Sequence, residues 1–541
     1  MKQTFLFLWI ILSGFSILSC KKVTSTASEN LATSHTRGVI PPTLAYTQGD
    51  YQSSRPYNLE VLYIVPSDKD TLQGYQQRLS AILLKGQEFY RSEMTRNGFI
   101  DKTFGLWTSK TDASLVQIIT VTGAKTNAEY NADPDLVQAD VNQYYINHPS
   151  SSPSTTHTLI IMPKYLDTDK RAFYGLAPKC FAVDYLDFDV AHAGEAGAGG
   201  VKFAKYYGGL MHELGHGLNL PHTHETASEH ALLGTNLMGT GNTTLSLTPT
   251  FINLAGCVIL DNCPVFANTT GGTYYNSYTA TLQSLSGKLE NDTLYVSGTF
   301  SSTLPVSAVN VIQDDDARSD TYYAVAWSVK PTQNNFSVKM AVSDLDITAS
   351  PDFRQGNFHL LVQLALTNGN RKTITAAAYS FVNELPVLPT TFNFINTGNY
   401  QIATALNTSN VLNVRYGYTA DGTPVELHPG TTNSQRWNFE SLGAGVFRLH
   451  PLNVPAFASS MEANAGGTAD GTTVVIRANA NVSQQKWTIS PTTDGYYILR
   501  PGNSSEKAVD LTGGSAADRT PLIINSISGG GSQKWRLIPI I

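Results

Sequence analysis

Cysteine and charged residues are both scarce in this sequence of 541 residues. Its four cysteines are too few for a disulfide-dense scaffold. Charged residues make up 14% and leave a net charge of −6, whereas about 25% is typical of soluble proteins. Nucleic-acid binding depends on basic patches, so the acidic balance argues against a nucleic-acid partner. No run after the N-terminus reaches the ~20 apolar residues of a membrane span, which excludes a polytopic membrane protein.

The first twenty residues have the composition of an export signal. Lys2 precedes an apolar run from Phe5 to Leu18, which ends at Ser19-Cys20. This order indicates a secretory signal peptide, and the run is short for a retained anchor helix. Residues 17–20 (ILSC) resemble the lipobox of bacterial lipoproteins, which implies lipidation of Cys20 and a location at the outer membrane or cell surface of a bacterium. An ordinary signal peptide with an incidental cysteine is the alternative.

The rest of the chain divides by its patterns into a tether and three domains. Residues 21–56 are rich in Ser and Thr and predict a tether. Strands alternate with helices over residues 57–267, which indicates an α/β layer domain, and the alternation of Cys180–Val190 predicts an exposed edge strand. Short strands separated by turn residues over 268–388 predict a β-sandwich, which we expect to be immunoglobulin-like. Residues 389–541 contain an internal repeat.

Residues 212–222 read HELGHGLNLPH and carry the clearest chemical signal. His212 and His216 are four apart on a predicted helix, so both imidazoles can reach one cation. Glu213 lies one position round the helix, where it can reach a metal-activated water without being a ligand. His222 would point away on a continued helix, so the chain must turn after His216 to bring it back. His224 is the alternative third ligand.

The motif resembles that of the metzincin metalloproteases, HExxHxxGxxH followed by a methionine turn. Asn219 replaces the glycine, and asparagine tolerates the left-handed conformation needed there. Met238 stands where the family has its Met-turn methionine, an apolar floor beneath the metal. The resemblance implies a Zn²⁺ ion bound by three histidines with Glu213 as general base. It also implies that substrate lies along an edge strand near Phe181–Asp189.

The remaining cysteines lie outside this motif. Cys257 and Cys263 are separated by five residues, and in an exported chain we expect them to form a small disulfide. Cys180 would then be unpaired. The connectivity of these three cysteines cannot be read from the sequence alone.

Three QxW triplets end in Trp437, Trp487 and Trp535, at separations of 50 and 48 residues. Units of this length cannot bury their apolar sides alone and must share one core. The pattern resembles the ricin-type β-trefoil lectin domain, whose sugar sites use an acid early in a repeat and polar groups near the QxW. In the third repeat this implies a carbohydrate site with Asp510, Asn525 and Gln533. The acid position holds Asn413 in the first repeat and, by our alignment, Ser460 in the second. A purely structural trefoil is the alternative.

These observations together predict a surface-anchored zinc endopeptidase that hydrolyses protein or glycoprotein substrates. We expect a monomer that contacts the membrane only through its N-terminal lipid and whose trefoil targets carbohydrate. The rival hypothesis is a glycan-binding surface lipoprotein with a vestigial protease domain. An amidase or deacetylase that uses the same ion is a third hypothesis, which the long metzincin pattern disfavours because that resemblance implies peptide substrates.

Overall fold

The computed structural model describes residues 46–149, 157–315, 323–345, 357–382, 385–388, 395, 398–443, 446–492 and 494–540. The chain separates into two compact units, Met1–Thr43 and Leu44–Ile541, and all described residues belong to the second. The predicted signal peptide, Cys20 and most of the tether lie outside the described residues. Within the described part, no helix is long and apolar enough to cross a membrane.

The first region of the second unit mixes helices and strands, as the sequence predicts. Its elements in chain order are β1 (Tyr46–Gln48), β2 (Tyr51–Ser53), β3 (Glu60–Val65), α1 (Tyr75–Arg96), β4 (Thr108–Ser109), β5 (Ile119–Thr122), α2 (Asn127–Ala132), α3 (Val137–Asn147), β6 (Thr158–Lys164), β7 (Tyr174–Leu176), β8 (Lys179–Tyr185), α4 (Ala198–Gly217), α5 (Ala227–Leu233), β9 (Thr235–Asn236), β10 (Thr250–Phe251) and α6 (Leu254–Asp261).

A five-stranded sheet with the order β5-β3-β6-β8-β7 forms the centre of this region. The strands are parallel except for β7, which pairs antiparallel with β8. Apolar side chains on alternate positions of β6 enter two cores: Leu159 and Ile161 pack on one face, and Ile160 and Met162 on the other. A strand buried on both faces needs such an uninterrupted apolar run.

The predicted edge strand at Cys180–Val190 is wrong in its position. Most of that segment is β8, an inner strand that is buried from Cys180 to Tyr185. The edge is the short β7, which the sequence analysis did not identify. Alternation alone could not reveal this, because β8 presents side chains to a core on each face and its neighbour on the edge side is the three-residue β7 immediately before it.

Eight further strands form the second region, which contains two antiparallel sheets. One has the order β11-β12-β15 and the other β14-β13-β16-β17-β18, and apolar side chains of both enter one shared core. The predicted two-sheet sandwich is therefore found, and its immunoglobulin-like connectivity stays a prediction. The strands are β11 (Ala280–Glu290), β12 (Thr293–Ser302), β13 (Val306–Asp315), β14 (Val325–Val329), β15 (Asn335–Ala341), β16 (Asn357–Leu366), β17 (Arg371–Val382) and β18 (Leu385–Val387).

The third region has the internal symmetry that the repeats predict. The indole nitrogens of Trp437, Trp487 and Trp535 donate to the carbonyls of Leu412, Met461 and Val509, and all three rings are fully buried in one core. Its strands are β19 (Gly398–Thr404), β20 (Asn407–Val414), β21 (Thr423–Pro429), β22 (Trp437–Gly443), β23 (Val446–Pro451), β24 (Ser459–Ala463), β25 (Thr472–Ala478), β26 (Trp487–Pro491), β27 (Tyr497–Pro501), β28 (Lys507–Leu511), β29 (Leu522–Ser526) and β30 (Trp535–Pro539).

Candidate metal centre

Helix α4 carries two of the predicted ligands and ends directly after them. Its end has the hydrogen bonds of a Schellman motif: Leu220 N donates to Gly215 O at 2.9 Å and Asn219 N to His216 O at 3.0 Å. Asn219 has the predicted left-handed conformation, with φ +75°. The helix therefore ends at Gly217, one residue after His216, and the chain turns back at Asn219, which allows His222 to approach the same point.

The three predicted histidines converge. Nε2 of His216 lies 3.1 Å from Nε2 of His212 and 2.9 Å from Nε2 of His222. His224, the alternative third ligand, lies elsewhere: its ring stacks on Tyr323 at 5.5 Å, and its backbone N–H donates to Ala324 O at 2.6 Å. Among the described residues, a group of ring nitrogens within 4.8 Å of one another is formed by His212, His216 and His222.

Backbone carbonyls determine which nitrogen of two of these rings carries the proton. Nδ1 of His212 lies 2.7 Å from Leu237 O and Nδ1 of His216 lies 2.8 Å from Leu220 O, so each Nδ1–H donates and each Nε2 keeps its lone pair. Burial lowers the pKa of His212 to about 4 and that of His216 to about 3. Both rings are therefore neutral at pH 7, and lone pairs face each other at a spacing that a cation would stabilise. The donor set fits a zinc ion.

Glu213 lies beside this cluster under the edge strand. Burial raises the pKa of its carboxyl to about 7, while the backbone N–H of Gly175, which donates to it, acts in the opposite direction. Gly175 is in β7, and a Cβ there would lie 2.1 Å from Glu213 O and 2.5 Å from Cβ of His216. Only glycine permits this approach of strand and helix.

Met238 packs against the opposite side of α4. The side chain is 1% exposed, and a Cβ on Gly215, between the two helical ligands, would lie 2.5 Å from its sulfur. The preceding residue, Leu237, supplies the carbonyl that receives the Nδ1–H of His212. Met238 thus lies in apolar contact with the helix that carries His212 and His216.

A buried carboxylate that the sequence analysis missed connects the third-ligand loop to this turn. Glu225 is 1% exposed; its Oε2 accepts from the backbone N–H of Asn236 at 2.8 Å, and its Oε1 lies 3.1 Å from Nδ1 of His230. The bond to Asn236 connects Glu225, three positions after His222, to β9, the strand before Met238. A signal was present, since an acid lies close behind the motif, but only the fold shows that it is buried.

The second region also reaches the metal centre. Asn219 Nδ2 donates to the Tyr275 hydroxyl at 3.0 Å, and Tyr275 N donates to Asn368 O, in the turn between β16 and β17, at 2.9 Å. Arg371 begins β17, and its positive charge contributes to the low pKa of His216. No local motif could have predicted these contacts, because the residues are more than fifty positions from the histidines.

The three cysteines are buried and free, so the expected disulfide is wrong. Cys257 lies within α6, and its sulfur is 3.3 Å from Nδ2 of Asn97. Cys263 follows that helix, and its sulfur is 3.3 Å from Nε2 of His157. Because they are six positions apart and Cys263 lies past the helix end, the two side chains point to different sides and their sulfurs have different neighbours.

The trefoil region brings the predicted third-repeat residues together. Oδ2 of Asp510 accepts from Nδ2 of Asn525 at 3.0 Å and from Nε2 of Gln533 at 3.1 Å. In the second repeat, Glu462 rather than Ser460 takes the acid position, since it accepts from Nε2 of Gln485 at 2.9 Å. The assignment of Ser460 is wrong by two residues, which in a strand leaves the side chain on the same face.

Comparisons with known proteins agree with this architecture. Residues 390–476 and 433–525 match the model of the ricin-type beta-trefoil lectin domain-like family. The crystal structure of wild-type OgpA from Akkermansia muciniphila is similar at 31% identity and a TM-score of 0.56, over 63% of this chain and 96% of OgpA. Catalytically inactive OgpA in complex with an O-glycopeptide substrate is similar at 30% identity over the same shares, with a TM-score of 0.56. No curated protein matches the sequence.

The match to OgpA includes nearly all of that protein at about 30% identity. The ricin-type model matches a C-terminal part of this chain. This chain therefore belongs to the same protein family as OgpA and contains a ricin-type β-trefoil lectin-like region.

Proposed function

We propose that this protein is a zinc-dependent endopeptidase of the metzincin type that cleaves glycoproteins. The observation that carries the proposal is the convergence of three imidazoles, of which His212 and His216 are neutral at pH 7, beside Glu213. The substrate class follows from the family relationship, because OgpA was crystallised with an O-glycopeptide substrate. We further propose that the chain is exported and anchored through a lipidated Cys20, at the outer membrane or cell surface.

His212, His216 and His222 would hold the zinc ion through their Nε2 atoms. When bound, zinc supplies polarisation of the scissile carbonyl and activation of the attacking water. The hydrogen bonds to Leu237 O and Leu220 O keep the first two rings in the tautomer and orientation that this requires. Met238 supports the helix from the apolar side.

Glu213 acts as the general base. Its carboxylate takes a proton from the attacking water and returns it to the nitrogen of the leaving amine. A carboxyl whose pKa lies near 7 is suited to both transfers at neutral pH. The N–H of Gly175 holds the carboxylate in place, since it donates directly to it.

The edge strand β7 can orient an extended peptide substrate by pairing with its main chain. Within the described part of the chain, β7 pairs only with β8 and leaves its other edge for an extended peptide. Main-chain hydrogen bonds to this edge recognise a peptide without regard to its sequence. We therefore expect substrate to lie along Tyr174–Leu176, next to Glu213, instead of along Phe181–Asp189.

The trefoil region supplies a separate carbohydrate site. Asp510, Asn525 and Gln533 form one hydrogen-bonded group in the third repeat, and the family model that matches here is lectin-like. A carbohydrate site on the same chain would raise the local concentration of glycosylated substrate at the peptidase site.

Cleavage of an O-glycosylated peptide and its unglycosylated counterpart by the full chain tests this function. We expect the glycopeptide to be cleaved, a chelator to abolish cleavage, and zinc to restore it. Persistence of cleavage in chelator would contradict the proposed metal dependence. The rival hypothesis is a glycan-binding protein with a vestigial protease region, and the lectin-like match favours it. It predicts that the chain binds to a glycan array, contains no zinc and cleaves neither peptide.

A further inference from the structure

The three trefoil repeats carry different residues in the loop that follows the acid position. The tryptophan-to-carbonyl bonds align the repeats, so that Asn413, Glu462 and Asp510 are equivalent. Three positions later the chain has a left-handed residue in every repeat: Tyr416 (φ 53°), Ala465 (φ 52°) and Gly513 (φ 64°). The second and third repeats therefore place small residues where the backbone conformation disfavours a large side chain.

A tyrosine at position 416 is conformationally unfavourable. A left-handed backbone strains any residue with a Cβ, and a bulky aromatic is among the least suited to it. The ring is also 66% exposed, so it adds little to the core of the trefoil. Strain without burial is typical of residues whose value lies in binding and not in stability.

A second exposed aromatic lies beside it. Tyr418 is 61% exposed, and the centroids of the two rings are 5.6 Å apart. The equivalent residues of the other repeats, two positions after Ala465 and Gly513, are Gly467 and Ser515. The pair of rings is therefore specific to the first repeat and does not belong to the shared scaffold.

The surroundings hold Tyr416 in place and add polar groups. The Arg519 guanidinium lies 4.8 Å from the centroid of the Tyr416 ring and is itself bound to the buried carboxylate of Glu426. Arg415 Nε donates to the other oxygen of Glu426 at 2.6 Å. On the neighbouring turn, Ser434 Oγ donates to Asn413 Oδ1 at 3.0 Å. Aromatic faces bordered by hydroxyl, amide and guanidinium groups match a sugar, which has an apolar C–H face and a polar rim.

We propose that Tyr416 and Tyr418 form a carbohydrate-stacking platform on the first repeat, which binds a pyranose residue of a glycan. Both tyrosines lie outside the acid and QxW positions that the lectin pattern uses. The proposal rests on the carbohydrate-binding role given above to the trefoil region, but it does not depend on peptidase activity.

Binding of the full chain to immobilised mucin O-glycans, with soluble galactose and N-acetylgalactosamine as competitors, tests the platform. Tyr416→Gly and Tyr418→Ser introduce the residue types found in the third repeat. We expect each to weaken binding at least tenfold while the melting temperature stays the same or rises. Tyr416→Phe keeps the ring and should retain most of the binding.

Three results would overturn the proposal. The first is unchanged binding by both tyrosine variants. The second is a lowered melting temperature, which would assign the rings a structural role. The third is complete loss of binding in Asp510→Asn while Tyr416→Gly binds as the wild type does. Cleavage of a short glycopeptide, measured on the same preparations, should equal that of the wild type in both tyrosine variants. This readout separates failure of the platform from failure of the peptidase function.

Discussion

The candidate metal centre and the trefoil region differ in how the residues of each site are distributed along the sequence. The metal centre takes its ligands from eleven consecutive residues, 212–222, and the rest of the fold orients them. The trefoil has one scaffold in three copies, with the same Gln and Trp hydrogen bonds, but the acid position and the loop after it carry different residues in each copy. A local motif therefore indicates chemistry directly, whereas a repeated scaffold indicates only the fold, and its sites must be examined copy by copy.

The largest effect should come from removing the general base. Glu213→Gln keeps the size of the side chain but cannot accept a proton, so we expect cleavage to fall by about 10⁴-fold with bound zinc unchanged. Steady-state kinetics on a glycopeptide and elemental analysis measure the two quantities. Glu195→Gln, an exposed acid outside the cluster, is the matched control. A wild-type kcat in Glu213→Gln would show that Glu213 is not the general base.

Loss of a repeat tryptophan should break the scaffold and leave the metal centre intact. Trp487 is fully buried and donates to Met461 O at 2.9 Å. We expect Trp487→Ala to destabilise the trefoil by about 3–5 kcal/mol, since it leaves a large cavity. Thermal unfolding should show an earlier transition, while zinc content stays at the wild-type level. Equal loss of zinc would mean that the two regions are not independent.

A pH-dependent effect of intermediate size is expected behind the metal centre. Burial lowers the pKa of His157 to about 4; its Nε2 lies 2.7 Å from the Tyr275 hydroxyl. The unfolded chain takes up this proton near pH 6.5 and the folded chain only near pH 4. Stability from neutral His157 is therefore complete above about pH 6.5 and falls by up to about 3 kcal/mol towards pH 4.

The variant His157→Gln should reduce that dependence by the part that His157 contributes, while His212 and His216, whose pKa values burial also lowers, keep theirs. It removes the titrating group, and an amide can still bond to Tyr275. Melting temperatures of the metal-free wild type and variant between pH 4 and 7 provide the comparison. Parallel curves for the two proteins would exclude His157 as the source.

The smallest effect concerns the residue that connects the ligand loop to the methionine turn. Removing the Glu225 carboxylate leaves the N–H of Asn236 without its acceptor. We expect Glu225→Ala to weaken zinc affinity by about 10–100-fold, as supporting bonds of metal sites do. Competition with a fluorescent chelator measures the affinity, again with Glu195→Gln as control. Unchanged affinity would show that the motif needs no support from the fold.

Much of the site could be predicted from the sequence because its determinants are local. The spacing of His212 and His216 follows from helix geometry, and Asn219 alone signals where the helix ends. The edge strand could not be predicted, because β7 is only three residues long and is too short to show an alternation pattern. The acid position was assigned to Ser460 instead of Glu462 for a simpler reason, because both residues lie on one face of β24.

The zinc content of pure protein, with and without His222, tests the central claim most directly. Elemental analysis after zinc loading and dialysis should find one zinc ion per chain in the wild type and in the control variant His192→Ala, whose ring is exposed and lies outside the cluster. His222→Ala should retain little or none. A wild-type chain that stays empty after loading, or a His222→Ala variant that binds zinc as the wild type does, would contradict the account.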